Sequence, residues 1–261
     1  MKLLLCTALL VNVAVSIAQT KITSISVSGE IIGAYVDRVG ELYIHTKSGQ
    51  IQKFDINGKL ISLFKRPETP TLFDPRDGSR LFAFYRNSRK TEFLNPSFDV
   101  THAAVIDSAF VIDPWLVCTS GDHNLWILDS ADHSLKKISP ATSSVLVDVQ
   151  FPDEPSIKWS SLTYAREYQG FVFFFEEDKA IHIFNGMGRW IKSIRDSKLR
   201  YFNFLGEEIY YPSANDLIFI NLFSGEQRKL PITKAFKFAL VTDERLFLVH
   251  TNSIDFFQFQ P

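Results

Sequence analysis

Cysteine is nearly missing from this chain: there are two in 261 residues. One of them, Cys6, lies inside an N-terminal apolar stretch that reads as a removable leader, so the mature domain would retain Cys118 alone and could form no internal disulfide. Stability must then come from packing. A lone thiol in the run Trp115-Leu-Val-Cys-Thr119 reads as a small buried hydrophobe rather than a reactive group. Long apolar runs are also missing beyond the leader, where no segment approaches the roughly 18 residues a spanning helix needs. Nor is there an excess of basic charge. Without Lys2 the chain carries 27 basic against 29 acidic residues, a net charge of −2. That balance disfavours nucleic-acid or anionic-membrane binding through bulk electrostatics. Catalytic signatures are missing as well: there is no Gly-rich phosphate loop between a strand and a helix, no HExxH, no GxSxG and no CxxC.

What is present is a six-fold echo. An apolar strand, a polar turn and a second apolar strand ending in Asp or Asn recur at Leu42–Asp55, Leu81–Asn95, Leu116–Asp129, Phe171–Asn185 and Glu208–Asn221, and with Gln at Leu246–Gln258. The closing residues are 40, 34, 56, 36 and 37 apart. A four-stranded antiparallel blade needs about 40 residues. The long gap predicts one blade plus an insertion of about 16 to 20 residues, placed at Pro140–Lys158, where Pro140, Pro152 and Pro155 accompany Asp153-Glu154.

The strands of a repeat can be read directly. Glu41–Thr46 and Gln50–Asp55 flank Lys47-Ser48-Gly49, and Asn57-Gly58 then leads into Lys59–Phe64. Asn-Gly between apolar runs marks a tight hairpin, since both residues tolerate positive φ. Ile181–Ser193 matches Ile51–Leu63 position for position. The runs Glu30–Val36, Ser161–Ala165, Leu199–Leu205 and Ala235–Val241 are the expected innermost strands around a channel. The last repeat has three strands, and Lys21–Ser28 is the expected fourth, which would close the ring and remove two exposed edges. A chain with 24 Phe and 14% aromatics suits pleated, half-buried surfaces. The predicted fold is therefore all-β: a six-bladed β-propeller of four-stranded antiparallel blades, sealed by an N-terminal strand, in a single domain over 19–261.

Met1–Ala18 carries a basic Lys2, an apolar Leu3–Val15 and small residues before Gln19. This is the pattern of a secretory signal peptide. Cys6 lies within the apolar region instead of following it, which argues against a lipid anchor. The expectation is export to the periplasm or beyond.

Apparent chemical clusters disperse when placed on the repeat. Asp122-His123 and Asp132-His133 fall at opposite ends of one strand, about 20 Å apart in extended chain and too far for one ion. His45, Cys118 and His250 are read as equivalent positions in three repeats, separated by sheet spacings that zinc cannot bridge. Glu176–Lys179 and Arg76–Arg80 read as turns.

With its Phe-Asp-x-Asn-Gly-Lys ending at Phe54–Lys59, the repeat resembles those of secreted bacterial six-bladed propellers of the NHL-like and gluconolactonase-like groups. The resemblance covers essentially the whole mature chain. For the gluconolactonase-like group it implies a channel calcium held by inner-strand side chains, for which Asp74, Asp107 and Asn203 are the candidates here. No Glu stands at the opening inner-strand position which that pattern uses, so no catalytic residue is carried over and no cofactor is assigned. The favoured function is an exported, non-catalytic binding or scaffold module. It would present a face or loop to an envelope protein or glycan, as a monomer or in a hetero-complex, with Trp159 and Trp190 as candidate binding aromatics. The alternative is a calcium-assisted hydrolase or lactonase centred on the channel.

Overall fold

In the computed structural model, residues 20–152 and 157–259 are described. The signal peptide expected at 1–18 and the Asp153-Glu154 pair lie outside them. The chain opens with β1 (Lys21–Ser26), set aside for later use. The first blade follows as β2 (Ile31–Val36), β3 (Leu42–Thr46), β4 (Gln50–Phe54) and β5 (Leu60–Lys65). The second is β6 (Leu72–Asp74), β7 (Leu81–Tyr85), β8 (Lys90–Leu94) and β9 (Val100–Val105). The third is β10 (Pro114–Thr119), β11 (Leu125–Asp129), β12 (Ser134–Ser139) and β13 (Ser144–Gln150). The fourth is β14 (Leu162–Tyr168), β15 (Phe171–Glu176), β16 (Ala180–Asn185) and β17 (Trp190–Arg195). The fifth is β18 (Asn203–Leu205), β19 (Glu208–Ser213), β20 (Asp216–Asn221) and β21 (Gln227–Pro231). The sixth is β22 (Phe238–Val241), β23 (Arg245–Val249) and β24 (Ser253–Gln258), and its rim strand is β1. The result is a six-bladed β-propeller; among the described residues the sole helical element is a short 3₁₀ turn at Trp159–Ser161.

Position in the blade sets the burial of each strand. Every residue of β3, β7 and β11 is buried, because a middle strand is covered on both faces by the neighbouring blades. Such strands read as near-continuous apolar runs instead of alternating ones. At the rim, every residue of β9 is exposed and β1 and β21 alternate. Aromatic rings fill the wedges between blades: Phe173 meets Phe204 of the next blade edge-on at 4.8 Å, and Phe151 stacks on Phe184 at 5.2 Å between ring centroids. Such pairs add about 0.5–1.5 kcal/mol each beyond the area they bury.

The Asp or Asn that ends each echo has a local job. Asp55 Oδ1 accepts hydrogen bonds from the backbone N–H groups of Asn57 and Lys59. Asn95, Asn185 and Asn221 do the same for the turns that follow β8, β16 and β20. A side-chain oxygen that bonds the chain two residues on holds the turn between third and fourth strands. At two of these turns a glycine at positive φ then abuts the preceding blade. A Cβ on Gly58 would meet Ile25 at 2.9 Å and Phe256 at 3.0 Å, and one on Gly188 would meet Val149 at 2.8 Å.

The third blade corrects the expected period. Leu116–Asp129 is its first and second strands, whereas the echo elsewhere is the second and third. Asp129 accordingly does a different job: it accepts from the N–H groups of Ile112, Asp113 and Ala131 and pairs with Lys136 at 3.0 Å. The long gap is thus a change of phase. Within the segment expected as an insertion, Ser144–Gln150 is β13, the rim strand paired with β12, and so belongs to the blade itself. Cys118 shifts with it, onto an innermost strand, and is not equivalent to His45 on β3 or to His250 just after β23.

The seam lies where the N-terminal segment predicts. β1 pairs antiparallel with β24, with Ser24 opposite Asp255 and Ile25 opposite Ile254. Ser24 Oγ donates to Asp255 Oδ1 at 2.6 Å, and Lys21 pairs with the same carboxylate at 2.7 Å.

Candidate functional site

Six innermost strands, β2, β6, β10, β14, β18 and β22, surround the axis. Arg166 enters it from β14 and is 3% exposed. Its Nη1 donates to Asn203 Oδ1 on β18 at 2.9 Å, and its Nη2 to Asp74 Oδ1 on β6 at 2.8 Å. One guanidinium therefore clasps the second, fourth and fifth blades together. Asp74 also accepts the N–H of Arg76, and Asn203 Oδ1 that of Phe204. Burial opposes the charge on both partners, but their mutual attraction outweighs it: Asp74 is held below the usual carboxylate range and Arg166 above its ordinary value. The clasp is thus an ionised pair.

The clasp separates two cavities. One, of about 630 Å³, includes Arg166 and Asn203 in its lining and opens toward the connections between blades, near Thr71, Arg200 and Lys237. Its walls include Tyr35, Tyr164, Phe202, Phe238 and Leu240. The other, of about 280 Å³, opens among the first turns of the blades, beside Asp37, Arg76, Tyr168 and Asp243. Asn203 touches both. Burial raises the Tyr35 phenol to about 12 and pushes Tyr164 and Tyr201 well above their ordinary value, so all three remain neutral hydroxyls. Two buried polar atoms of the larger cavity's lining residues have no hydrogen-bond partner: Arg166 Nε and Tyr164 Oη.

Of the three calcium candidates, the fold brings two together and sends the third away. Asp74 and Asn203 share Arg166. Asp107 follows β9 on the way to the third blade, accepts the N–H of Ala109 and borders a groove of about 230 Å³ between the second and third blades. A set in which two oxygens already accept from a guanidinium does not fit a calcium ion, which needs six to eight oxygen ligands free of a competing cation. The residue that sequence reasoning missed is Arg166. The expected inner strand Ser161–Ala165 stops one residue short of it, and its signal was a charged residue continuing an apolar inner-strand run.

The remaining candidates have structural partners. Trp159 meets Trp115 edge-on at 5.3 Å and His133 at 5.1 Å. Trp190 lies on rim strand β17 with its indole N–H on Ser193 Oγ at 3.2 Å. Both are half-buried against the same apolar cluster. Asp122 pairs with Lys137 and Asp132 with Lys136, from opposite ends of β11. Glu176–Lys179 is the turn between β15 and β16, where Glu176 binds Lys179 at 2.8 Å and accepts from Ser161 Oγ. Buried Cys118 has its thiol pushed far up, first by burial and then by the charges of Glu167 and Asp74. It is inert as a nucleophile.

No protein-family model and no curated protein matches the chain. Among solved structures, the Cps50 (Swd1) β-propeller domain of Myceliophteria thermophila aligns over 93% of this chain and 100% of its own, with 12% identity and a TM-score of 0.62. A virginiamycin B lyase from Staphylococcus aureus aligns over 91% and 98%, with 11% identity and a TM-score of 0.56. BBS1N, solved in complex with ARL6DN, aligns over 92% and 96%, with 8% identity and a TM-score of 0.55. At these identities the likeness is one of fold.

Proposed function

We propose that this chain is a non-catalytic recognition module, exported by its N-terminal leader, that holds a protein or glycan of the cell envelope against one face of the ring. The observation that carries this reading is the Arg166 clasp. It spends the two polar inner-strand groups best placed for channel chemistry on joining three blades, and leaves the faces as the surfaces free to engage a partner. A rigid ring whose turns cluster at two faces is the kind of scaffold on which binding residues are displayed. The similar BBS1N propeller was solved with a bound protein. Among the described residues no helix is long and apolar enough to cross a membrane.

The test is recovery of the tagged protein, after cross-linking, from the envelope of its native host. The mature chain is expected to begin at Gln19 by mass spectrometry and to carry a stoichiometric partner. Glu177→Lys, on the face where the larger cavity opens, and Asp243→Lys, on the opposite face, are expected to differ in retention of that partner. A chain recovered alone with an intact residue 1–18 segment, or calcium-dependent lactone turnover by the purified protein, overturns the reading.

A further inference from the structure

Each blade ends in an edge, because its rim strand has a neighbour on one side only, and all but one of these edges are guarded. β1 carries Lys21, β5 Lys65, β13 Asp148, β17 Lys192 and Arg195, and β21 Arg228, Lys229 and Pro231. Charge and proline on an edge keep a foreign strand from pairing with it. β9, Val100-Thr-His-Ala-Ala-Val105, carries none of these, and it alone among the rim strands has every residue exposed. Its open side has a definite pattern. Ile106 N–H, just past the strand, donates to Arg89 O, and bonded pairs alternate along an antiparallel ladder. Ala104 and His102 therefore turn toward β8, while Ala103 and Val105 hold N–H and C=O outward. His102 and Ala104 also line the groove of about 230 Å³ beside the third blade, whose walls include Phe93, Phe110, Leu125 and Ile138. Just beyond the two ends of β9 stand exposed carboxylates. Asp99 accepts from Asn95 Nδ2 and Asp107 from the N–H of Ala109, and among the described residues no cation pairs with either. Arg89, close by, is spent on the carbonyls of Ile106, Val111 and Ile112.

We propose that β9 is a docking edge for an extended segment of a partner protein, neutral along its middle, apolar at alternate positions and basic at both ends. The segment adds antiparallel to β9 as an outermost strand of the second blade and exchanges backbone hydrogen bonds with Ala103 and Val105. In strand addition those main-chain bonds give affinity, and pockets for alternate side chains give specificity. Residues directly opposite one another share a face, so side chains opposite His102 and Ala104 lie on the groove side, where the small Ala104 leaves room for an apolar group. Asp99 and Asp107 are eight positions apart, about 26 Å of extended chain, and meet the basic ends. A second copy of β9 is a poorer occupant. Centred on Ala103, the register that joins outward-facing residues sets Asp99 against the copy's Asp107, and like charges directly opposite are unfavourable. This inference rests on the reading of the chain as a protein-binding module and adds a site on the rim, apart from both faces.

The experiment is calorimetric titration of the purified chain with the peptide acetyl-Lys-Val-Thr-Leu-Thr-Leu-Thr-Val-Lys-amide. Binding is expected with one site per chain. Glu in place of both lysines is expected to weaken it about tenfold, since each end pair turns from attraction to repulsion. With the lysines opposite Asp99 and Asp107, the threonine N–H groups face β9, so N-methylation of the threonines is expected to abolish binding. Ala103→Pro removes an outward N–H at an edge, where proline is tolerated, and is expected to lose the peptide while keeping its unfolding midpoint. Asp99→Asn/Asp107→Asn is expected to bind the Lys-ended and Glu-ended peptides alike. No binding at about 1 mM peptide, equal affinity of the parent for both peptides, or binding undiminished by N-methylation overturns the proposal, whether or not Ala103→Pro folds. Sedimentation of the chain alone as a dimer that Ala103→Pro disperses gives the edge to a second copy and overturns it too. Failure of the titration leaves recovery of the envelope partner through a face untouched, and failure of that recovery does not alter the titration.

Discussion

Arg166 shows how much one side chain can decide. Its partners lie 37 and 92 residues away in sequence, so its removal is felt on three blades at once. Arg166→Met leaves the buried Asp74 carboxylate without its cation, and breaking a buried pair from one side costs about 3–5 kcal/mol. Replacing both partners with apolar side chains removes the stranded charge as well, so Arg166→Met/Asp74→Leu is expected to recover most of that loss. Urea unfolding of the two variants checks this. A single variant within about 1 kcal/mol of the parent, the span of an exposed pair, would show that the clasp is not an ionised, desolvated pair. The buried middle-strand ion pair of Lys136 with Asp129 follows the same rule on a smaller reach, tying β12 to the loop before β10.

Among elements, the turn between third and fourth strands recurs most faithfully, and its glycines carry unequal loads. Gly58 has φ +85° and abuts Ile25 and Phe256, so Gly58→Ala adds a clash at the seam to the strain of positive φ. Overpacking of this kind costs about 1–3 kcal/mol. Gly225 has φ +75° with open space around it, so Gly225→Ala bears only the left-handed backbone cost, about 1–2 kcal/mol. The first variant should therefore melt below the second, as thermal unfolding followed by circular dichroism will report. Equal midpoints would mean that Ile25 and Phe256 yield without cost. These turns were legible in the sequence because their chemistry is local: Asp55 with Gly58 and Asn185 with Gly188 sit beside the strands they join, although Asn57 and Gly186 do not take the positive φ expected of an Asn-Gly tight turn. The seam was legible too, since a three-stranded last repeat left β1 with one place to go. The phase of the third blade was not, because Asp129 copies the letter of a turn-capping residue while holding the loop before β10. Nor was the clasp, since a contact spanning 92 residues leaves no periodic trace.

At the scale of the whole molecule, the ring depends on a closure that acid can loosen. Asp255 on β24 accepts from Ser24, pairs with Lys21, and has Lys234 at 3.5 Å. Burial raises its pKa, but the hydrogen bonds from Lys21 and Ser24 and the nearby lysine charge outweigh it, and the carboxyl is held below its ordinary value. A carboxylate depressed in the folded state stabilises fully above the unfolded value of about 3.9, and that contribution is lost as pH falls below it. Asp255→Asn should therefore be less stable than the parent at pH 7, with the difference shrinking at pH 3. A difference that stays constant across that range would detach the seam from this charge.

The same seam sets an order of events. β1 is made well before β24, with Ser24 and Asp255 separated by 231 positions. At about 5–20 residues per second, translation alone keeps the two apart for roughly 10–50 s. During that interval β1 has no partner, and a waiting strand must not pair with anything else. Its composition suits the delay: Lys21, Thr23, Ser24 and Ser26 interrupt its two isoleucines, and only alternate residues are even partly covered once it docks. The five complete blades can form before β24 is available, but the circle is completed only once β1 and β24 are both present.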